Sequence, residues 1–481
     1  MYLLYSLLFT IGVLLTSPYY LWRMRARSGG LKGTAGWRER FGLLPTGLGQ
    51  SRESGNLGPD SSVPTPDSRL PTSDSGSIWV HAVSVGETLA VIPLVKELQR
   101  LYPERNIFLS HVTPAGRQAS ESKLPGVTGR FYLPLDWRWA VDRAVARVRP
   151  SLLVIVETEL WPNLLRSAHQ SGARVALVNA RLSERSYRGY RLARPFMKRV
   201  LDNIDWIGAQ SDADAERFRG LGAAPERVEV TGNVKFDVSR VGSRESGVGK
   251  EDQLSRFLNL QSRAPGPDSR FPTLVAASTM PGEESLLLPV WSEIRQKYPR
   301  ALMILAPRHP ARFDQVAQFL SAQGRSFVRR TALDNGHSRE EPPPAQAGGG
   351  NPPPGNPLES EILLLDTIGE LAGVFAFADL VFVAGSLVPT GGHNLLEPAF
   401  WAKPVIFGPH MENFRDVSSL FLSAGAAVQV NSAAELGKVA LELLADPPRR
   451  ERLGKAAREL LDQQAGATAR ILGRLRNLAI L

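Results

Sequence analysis

Apolar and polar positions fall in blocks along this chain. IWVHAV (78–83) is a short apolar run, and LAVIPLVKELQRL after it has helical spacing. NIFLSHVT, SLLVIVET, ARVALVNA and DWIGAQ repeat the run, with helical stretches between them. Continuous apolar runs bounded by turn residues suit strands buried on both faces. Their alternation with amphipathic helices predicts a parallel, doubly wound α/β domain. The pattern restarts at TLVAAST, then a helix to about Tyr298, ALMILAP, a helix to about Gln323, EILLLD, ADLVFVAGS and KPVIFGP. AAVQV follows a further helix, and the chain from about Ala433 is expected to be helical.

The segments outside these blocks set the domain plan. Residues 1–22 carry no charged side chain and would reach about 33 Å as a helix, against a hydrocarbon core of about 30 Å. Arg23, Arg25 and Arg27 follow at once, Lys32, Arg38 and Arg40 close behind, and Tyr19, Tyr20 and Trp22 sit at the flank. No basic residue precedes the run and no small-residue cleavage site follows it, which argues against a signal peptide. The expectation is an uncleaved membrane anchor with the rest of the chain in the cytoplasm. Thr16, Ser17 and Pro18 interrupt the run, which leaves open a helix lying flat in the interface. The predicted plan is an anchor (1–22), a basic juxtamembrane segment and Ser/Pro/Gly-rich linker (23–76), a first α/β domain (77–238), a linker (239–272) and a second α/β domain (273–481). Within the second domain the Pro- and Gly-rich stretch near 335–358 is expected to be a disordered insertion. Two such domains imply a cleft lined by the carboxyl ends of both sheets, as in GT-B glycosyltransferases, and a two-domain binding protein fits the same pattern.

Composition narrows the chemistry. Of 481 residues, 57 are Lys or Arg and 47 Asp or Glu, a net charge of +10 that points to an anionic partner. The 43% hydrophobic and 22% charged content excludes a disordered or fibrous chain. Cysteine is absent, so disulfides, thiolate metal sites, iron–sulfur clusters and cysteine nucleophiles are excluded. The histidines have no HxH or HExxH spacing, and Walker A, GxGxxG and GxSxG motifs are missing. Nucleic-acid recognition signatures are lacking as well.

The candidate chemistry sits where strands end. In HAVSVGET, Ser84 and Gly86 form a turn and Glu87 enters the first helical turn, either as a cap or as a general base at the mouth of the sheet. ETELWPN places Glu157 and Glu159 directly after a buried strand, as ligand contacts or an ion pair. In TGNVKFD, Lys235 can direct a positive charge into the cleft. ASTMPGEE offers Ser278, Thr279 and Gly282 to a phosphate at a helix N-terminus, or simply caps that helix. Arg308 and His309 follow the next strand in APRHPAR, and Arg suits phosphate because its planar fork donates two bonds. In AGSLVPTGGHNLLEP, Gly391 and Gly392 precede a helix expected to start near Asn394, with Glu397 placed to accept from a ribose. Arg185, Arg188, Arg191 and Arg194 form a basic stripe, either solvated or facing anionic lipid.

Taken in order, HAVSVGE, ETELWPN, VNARLSERSYRGY, TGNVKFD, ASTMPGEE, PRHPAR and GGHNLLEP resemble the 3-deoxy-D-manno-oct-2-ulosonic acid (Kdo) transferases of lipopolysaccharide assembly. The resemblance spans about residues 1–45 and 77–430 and departs at Met280 and Pro281, where the family often has His and an acidic residue. It implies an α/β GT-B fold, with CMP-Kdo as donor and an anionic lipid A precursor (lipid IVA) as acceptor. The reaction would be inverting, without metal or other cofactor, at the cytoplasmic face of the inner membrane and among its lipids. Glu87 would be the catalytic base. Ser84, Gly86, Glu157, Glu159, Arg185 and Arg188 are assigned to the acceptor. Lys235, Ser278, Thr279, Gly282, Arg308, His309, Gly391, Gly392, Asn394 and Glu397 are assigned to the donor. The alternatives are another GT-B nucleotide-sugar transferase or epimerase, and a non-catalytic nucleotide-binding scaffold at a membrane.

Overall fold

The structure, a computed structural model, describes residues 1–27, 36–45, 48, 76–237, 253–262, 271–334 and 360–479, with no account of side chains 18–27. The insertion near 335–358 and most of both predicted linkers lie outside the described residues, as do Lys32 and the side chains of Arg23, Arg25 and Arg27. Helix Gln253–Ser262, with Leu254, Phe257 and Leu258 buried, stands where the second linker was expected. The chain divides into two compact units, Met1–Val238 with Ala465–Leu481, and Ser239–Gln464.

Unit 1 holds a seven-stranded parallel sheet: β1 Ser77–His81, β2 Ile107–His111, β3 Gly129–Tyr132, β4 Pro150–Val156, β5 Arg174–Ala180, β6 Trp206–Ala209 and β7 Val228–Val230. The order is β3-β2-β1-β4-β5-β6-β7, with His81 opposite Ile155 across the central pair. Alternate residues bury opposite faces. Trp79, Phe131, Leu153 and Ile155 pack on one side, and Ile78, Val80, Leu152 and Val154 on the other. Five helices matter for the site: α1 Tyr2–Arg27, α2 Val85–Leu101, α3 Pro162–Gln170, α4 Glu184–Leu192 and α5 Arg194–Leu201.

The C-terminal helix, Ala467–Ala479, was expected in the second domain and instead packs in unit 1. Ile471 and Leu475 join the core around Leu94 and Leu98. Asp237, the last residue of TGNVKFD, caps this helix by accepting from the Gly466 and Thr468 N–H groups at 2.6 Å each. Arg470 Nε donates to Thr231 O at 2.8 Å.

Unit 2 repeats the plan with β8 Thr273–Thr279, β9 Leu302–Pro307, β10 Phe327–Arg329, β11 Ile362–Leu364, β12 Leu380–Val383, β13 Val405–Phe407 and β14 Ala427–Gln429. All are parallel, in the order β10-β11-β9-β8-β12-β13-β14. Helix α6, Glu283–Lys297, follows β8, and the short α7, Leu396–Phe400, follows the loop after β12. In both sheets the order reverses at the first strand, which opens a crevice at the carboxyl ends of β1/β4 and of β8/β12.

Helix α1 departs from the spanning anchor expected from sequence. It continues through Pro18, whose missing N–H would orphan Leu14 O; the Ser17 hydroxyl donates to that carbonyl at 3.0 Å. One side packs on unit 1: Tyr5 stacks on Phe196, and Phe9 meets Trp137 edge-on. The other side is bare, with Leu3 88% and Leu15 75% exposed. Among the described residues no helix is long and apolar enough to cross a membrane. Arg40, expected in a juxtamembrane segment, is folded into unit 1, where its Nη2 donates to Val112 O at 2.7 Å.

Candidate active site

Strand β1 delivers Glu87 to the crevice of unit 1. Ser84 is the N-cap of α2, accepting from the Glu87 N–H at 3.3 Å, and its hydroxyl donates to Glu87 Oε1 at 2.9 Å. Glu87 Oε2 accepts from the Val83 N–H at 2.8 Å. The carboxylate therefore joins the helix cap, accepting from the N–H of the residue before the N-cap and from the N-cap hydroxyl. Capping alone would hold a carboxylate at or below its ordinary value, because the helix N-terminus favours the charge. Here burial pushes Glu87 up to about 7, opposed by the Val83 and Ser84 bonds and reinforced by the charges of Glu157 and Glu159.

Gly86 does not serve the turn as expected, since its φ is not in the left-handed region. A Cβ there would meet only Ser84 Oγ, at 3.8 Å. The fold has no need of glycine at this helical position, so its effect is to leave the backbone bare beside Glu87.

Glu157 extends past β4 with φ +61°, a strained conformation for a side-chain-bearing residue. Lys235 Nζ lies 3.4 Å from Glu157 Oε1. Lys235, assigned to the donor from sequence, thus pairs with Glu157, assigned to the acceptor, within unit 1. Buried Asn179, also at positive φ, donates to Glu157 Oε1 at 3.5 Å and accepts from the Val234 N–H at 3.1 Å. It joins ETELWPN to TGNVKFD, and the sequence reading assigned it no role. Burial raises Glu159, with the Glu157 charge adding to the shift.

Arg185 and Arg188 project from α4 into solvent, Arg188 on Glu184 at 3.0 Å. The four-residue stripe is shorter than expected, because the helix breaks at Ala193 and Arg194 Nε is bound to Gly220 O.

In unit 2, Ser278, the penultimate residue of β8, has a φ of +64°, again left-handed. Thr279 is fully buried and its hydroxyl donates to Glu284 Oε1 at 2.7 Å, so it does not face a ligand as expected. Arg312 donates to Glu284 Oε2 and to Thr279 O at 2.8 and 2.9 Å, and the Arg308 N–H also reaches Thr279 O, at 3.0 Å. This brace links the turn to the Arg308–His309 segment. Gly282, at φ +93°, is the N-cap of α6.

Glu283 was read only as a first-turn acid. It is fully buried and accepts from the N–H groups of Met280, Gly385, Ser386 and Leu387 at 2.9, 2.6, 3.1 and 3.1 Å. It ties the turn after β8 to the glycine loop after β12.

Gly391 and Gly392 have φ of +93° and +70°, and a Cβ on either would overlap Asn413 or Met411. Their close backbone approach is thus to the protein's own 410–413 segment, and the Gly392 N–H is bound to Gly385 O at 2.8 Å. The helix predicted to start near Asn394 is the five-residue α7, too short to build a charged terminus. Asn394 caps the Leu396 N–H at 3.0 Å and donates to Glu397 Oε1 at 3.1 Å. Burial raises Glu397, while Asn394 and the charge of Arg308 oppose it. Burial also holds His393 down at about 4, helped by the charges of Arg308 and His309. Arg308, His309, His393, Asn394 and Glu397 therefore gather at one end of the sheet, a cationic group beside a partly buried carboxyl.

Two parallel-sheet units in one chain, each with polar residues collected at its switch strands, define a protein of the GT-B type. The crystal structure of UDP-GlcNAc 2-epimerase from Neisseria meningitidis bound to UDP-GlcNAc shares this fold, with a TM-score of 0.55 and 12% identity over 83% of this chain and all of that one. The family model described as 3-deoxy-D-manno-octulosonic-acid transferase (kdotransferase) matches residues 35–238. The 3-deoxy-D-manno-octulosonic acid transferase of Haemophilus influenzae is 34% identical over 400 residues, 83% of this chain and 86% of the relative. That of Bordetella pertussis is 36% identical over 408 residues, with the same coverage. The chain belongs to the 3-deoxy-D-manno-octulosonic acid transferase family and is a glycosyltransferase.

Proposed function

We propose that this chain transfers Kdo from CMP-Kdo to a hydroxyl of a lipid A precursor of the lipid IVA type during lipopolysaccharide assembly, with inversion and without metal. The observation that carries this reading is Glu87. It is held at the sheet's switch point by Val83 and Ser84 and raised to about 7, where a base is half-ionised at neutral pH. The acceptor oxygen attacks the anomeric carbon of Kdo and passes its proton to Glu87. The bond from that carbon to the phosphate oxygen breaks, and CMP leaves with the electron pair. A positioned carboxylate contributes about 10²–10⁴-fold to such a step. Arg308, exposed beside Glu397 and His393, supplies a charge for the departing phosphate.

Membrane association follows from α1 as a helix seated in the lipid interface. Leu3, Leu4, Leu7, Leu8, Leu14 and Leu15 are exposed on the side away from its contacts with unit 1. Arg185, Arg188 and Arg191 of α4 add positive charge for an anionic surface such as the cytoplasmic face of the inner membrane.

The test incubates the full chain with CMP-Kdo and tetra-acylated lipid A precursor in chelator and weighs the lipid by mass spectrometry. A gain of one or more Kdo units supports the reading. A folded, CMP-binding protein that yields no gain removes it.

A further inference from the structure

The inner side of α1 carries more polar bonding than a membrane tether requires. The Tyr5 hydroxyl donates to Asp136 Oδ2 at 2.8 Å. Asn163 Nδ2 donates to Ser6 Oγ at 3.1 Å, and Trp137 Nε1 donates to Thr10 Oγ1 at 2.8 Å. An anchor joined to its domain by a linker needs none of these bonds.

Their destination gives them meaning. Asp136 is 1% exposed and accepts from the N–H groups of Asn163 and Leu164, the first turn of α3, at 3.0 and 2.9 Å. Asn163 also donates to Asp136 O, at 2.6 Å. Asn163 is the last residue of ETELWPN, and the other end of that segment holds Glu157 and Glu159 beside Glu87. One loop is thus bonded to α1 at one end and carries the acceptor-side carboxylates at the other. Asp136 and Asn163 are buried there, bonded to α1, to α3 and to each other, so a shift of α1 is felt at the loop's C-terminal root.

We infer that α1 positions the ETELWPN loop for acceptor binding through Tyr5 and Ser6, in addition to any contact it makes with lipid. Both are positioning residues, acting through Asp136 and Asn163, and the inference rests on the reading of Glu157 and Glu159 as acceptor residues. The lipid-facing helix and the acceptor loop then form one unit, so that a substrate that itself resides in the membrane meets its site already ordered.

The test uses the full chain with tetra-acylated lipid A precursor dispersed in detergent micelles, where partition into a bilayer does not limit the rate. Tyr5→Phe keeps the ring and removes the hydroxyl; Ser6→Ala removes the oxygen and Ser6→Thr restores it. Each loss variant is expected to raise the acceptor KM at least about fivefold, the low end of ordinary coupling between sites. The CMP-Kdo KM, the melting temperature and sedimentation with vesicles of phosphatidylethanolamine and phosphatidylglycerol stay near wild type, and Ser6→Thr recovers the acceptor KM. An unchanged acceptor KM overturns the inference. So does a uniform fall in kcat and melting temperature, which marks the bonds as merely structural. Glu159→Gln runs alongside: if it leaves the acceptor KM unchanged while Tyr5→Phe raises it, the assignment of the loop to the acceptor fails instead.

Discussion

The hydroxyl of Ser84 donates to Glu87 Oε1 at 2.9 Å, and the Glu87 N–H returns a bond to Ser84 Oγ at 3.3 Å. This reciprocal pair makes the proposed base part of the helix cap, so stability and chemistry are linked at one carboxylate. Ser84→Ala removes both bonds at a cost of about 1 kcal/mol of stability. It also removes a group that favours the ionised carboxylate, so the acid limb of the rate profile moves to higher pH. Thermal unfolding and a pH–rate profile check the two effects on one variant.

Gly86→Ala separates fold from function. The position is helical and sterically open, so alanine is expected to stabilise the protein by about 0.5–1 kcal/mol. The added methyl group stands beside Glu87, where an acceptor would approach, and acceptor kcat/KM falls. A variant that melts higher and also transfers at the wild-type rate would show that nothing approaches this backbone.

Lys235→Met leaves Glu157 half-buried without its counter-charge. Transfer efficiency is expected to fall about tenfold or more, the worth of a charged hydrogen bond. Adding Glu157→Gln recovers stability, since the uncompensated charge is then gone. Denaturant unfolding of both single variants and the double variant measures that recovery.

Stability itself carries Glu87's signature. Its carboxyl, ordinarily near 4.5, is raised to about 7 by burial, so the folded protein holds the proton more tightly than the unfolded chain. This contribution is complete below pH 4.5 and is lost as pH rises through 7. Glu87→Gln removes the slope, so the variant gains on wild type between pH 5 and pH 8. Melting curves across that range check the sign.

Glu283→Ala strands four backbone N–H groups in a buried site, costing about 4 kcal/mol or more at about 1–3 kcal/mol each. The glycine loop loses its tie to the β8 turn, and the CMP-Kdo KM rises more than the acceptor KM. Isothermal titration with CMP and steady-state kinetics read the two together.

The sheets were legible because a strand buried on both faces has to be apolar throughout. The strands that escaped notice, GRFY (β3), VEV (β7) and FVR (β10), are all edge strands of three or four residues with a charged member and partial exposure. Their pairing comes from the neighbouring strand and leaves no local pattern. Glu87 was legible because its strand, turn and helix are contiguous. Glu283 and Asn179 were not, since their partners lie in loops distant along the chain: Glu283 meets Gly385, and Asn179 meets Val234. The pairing of Lys235 with Glu157 was not legible for the same reason, as a sequence does not tell which carboxylate a lysine will meet. Helix α1 read as a spanning anchor because hydropathy counts leucines without regard to face, whereas Tyr5, Ser6 and Thr10 turn one side into unit 1.

The most direct test of the account is the pH dependence of acceptor kcat/KM for the wild type and Glu87→Gln, followed by mass spectrometry of the lipid product. The account predicts that wild-type efficiency rises tenfold per pH unit and levels off near pH 7, set by the raised Glu87 carboxyl. Glu87→Gln loses about 10²–10⁴-fold, and its residual activity lacks that limb. A Glu87→Gln protein within tenfold of wild type that keeps the limb near pH 7 would contradict Glu87 as the base and leave it only the helix cap beside Ser84.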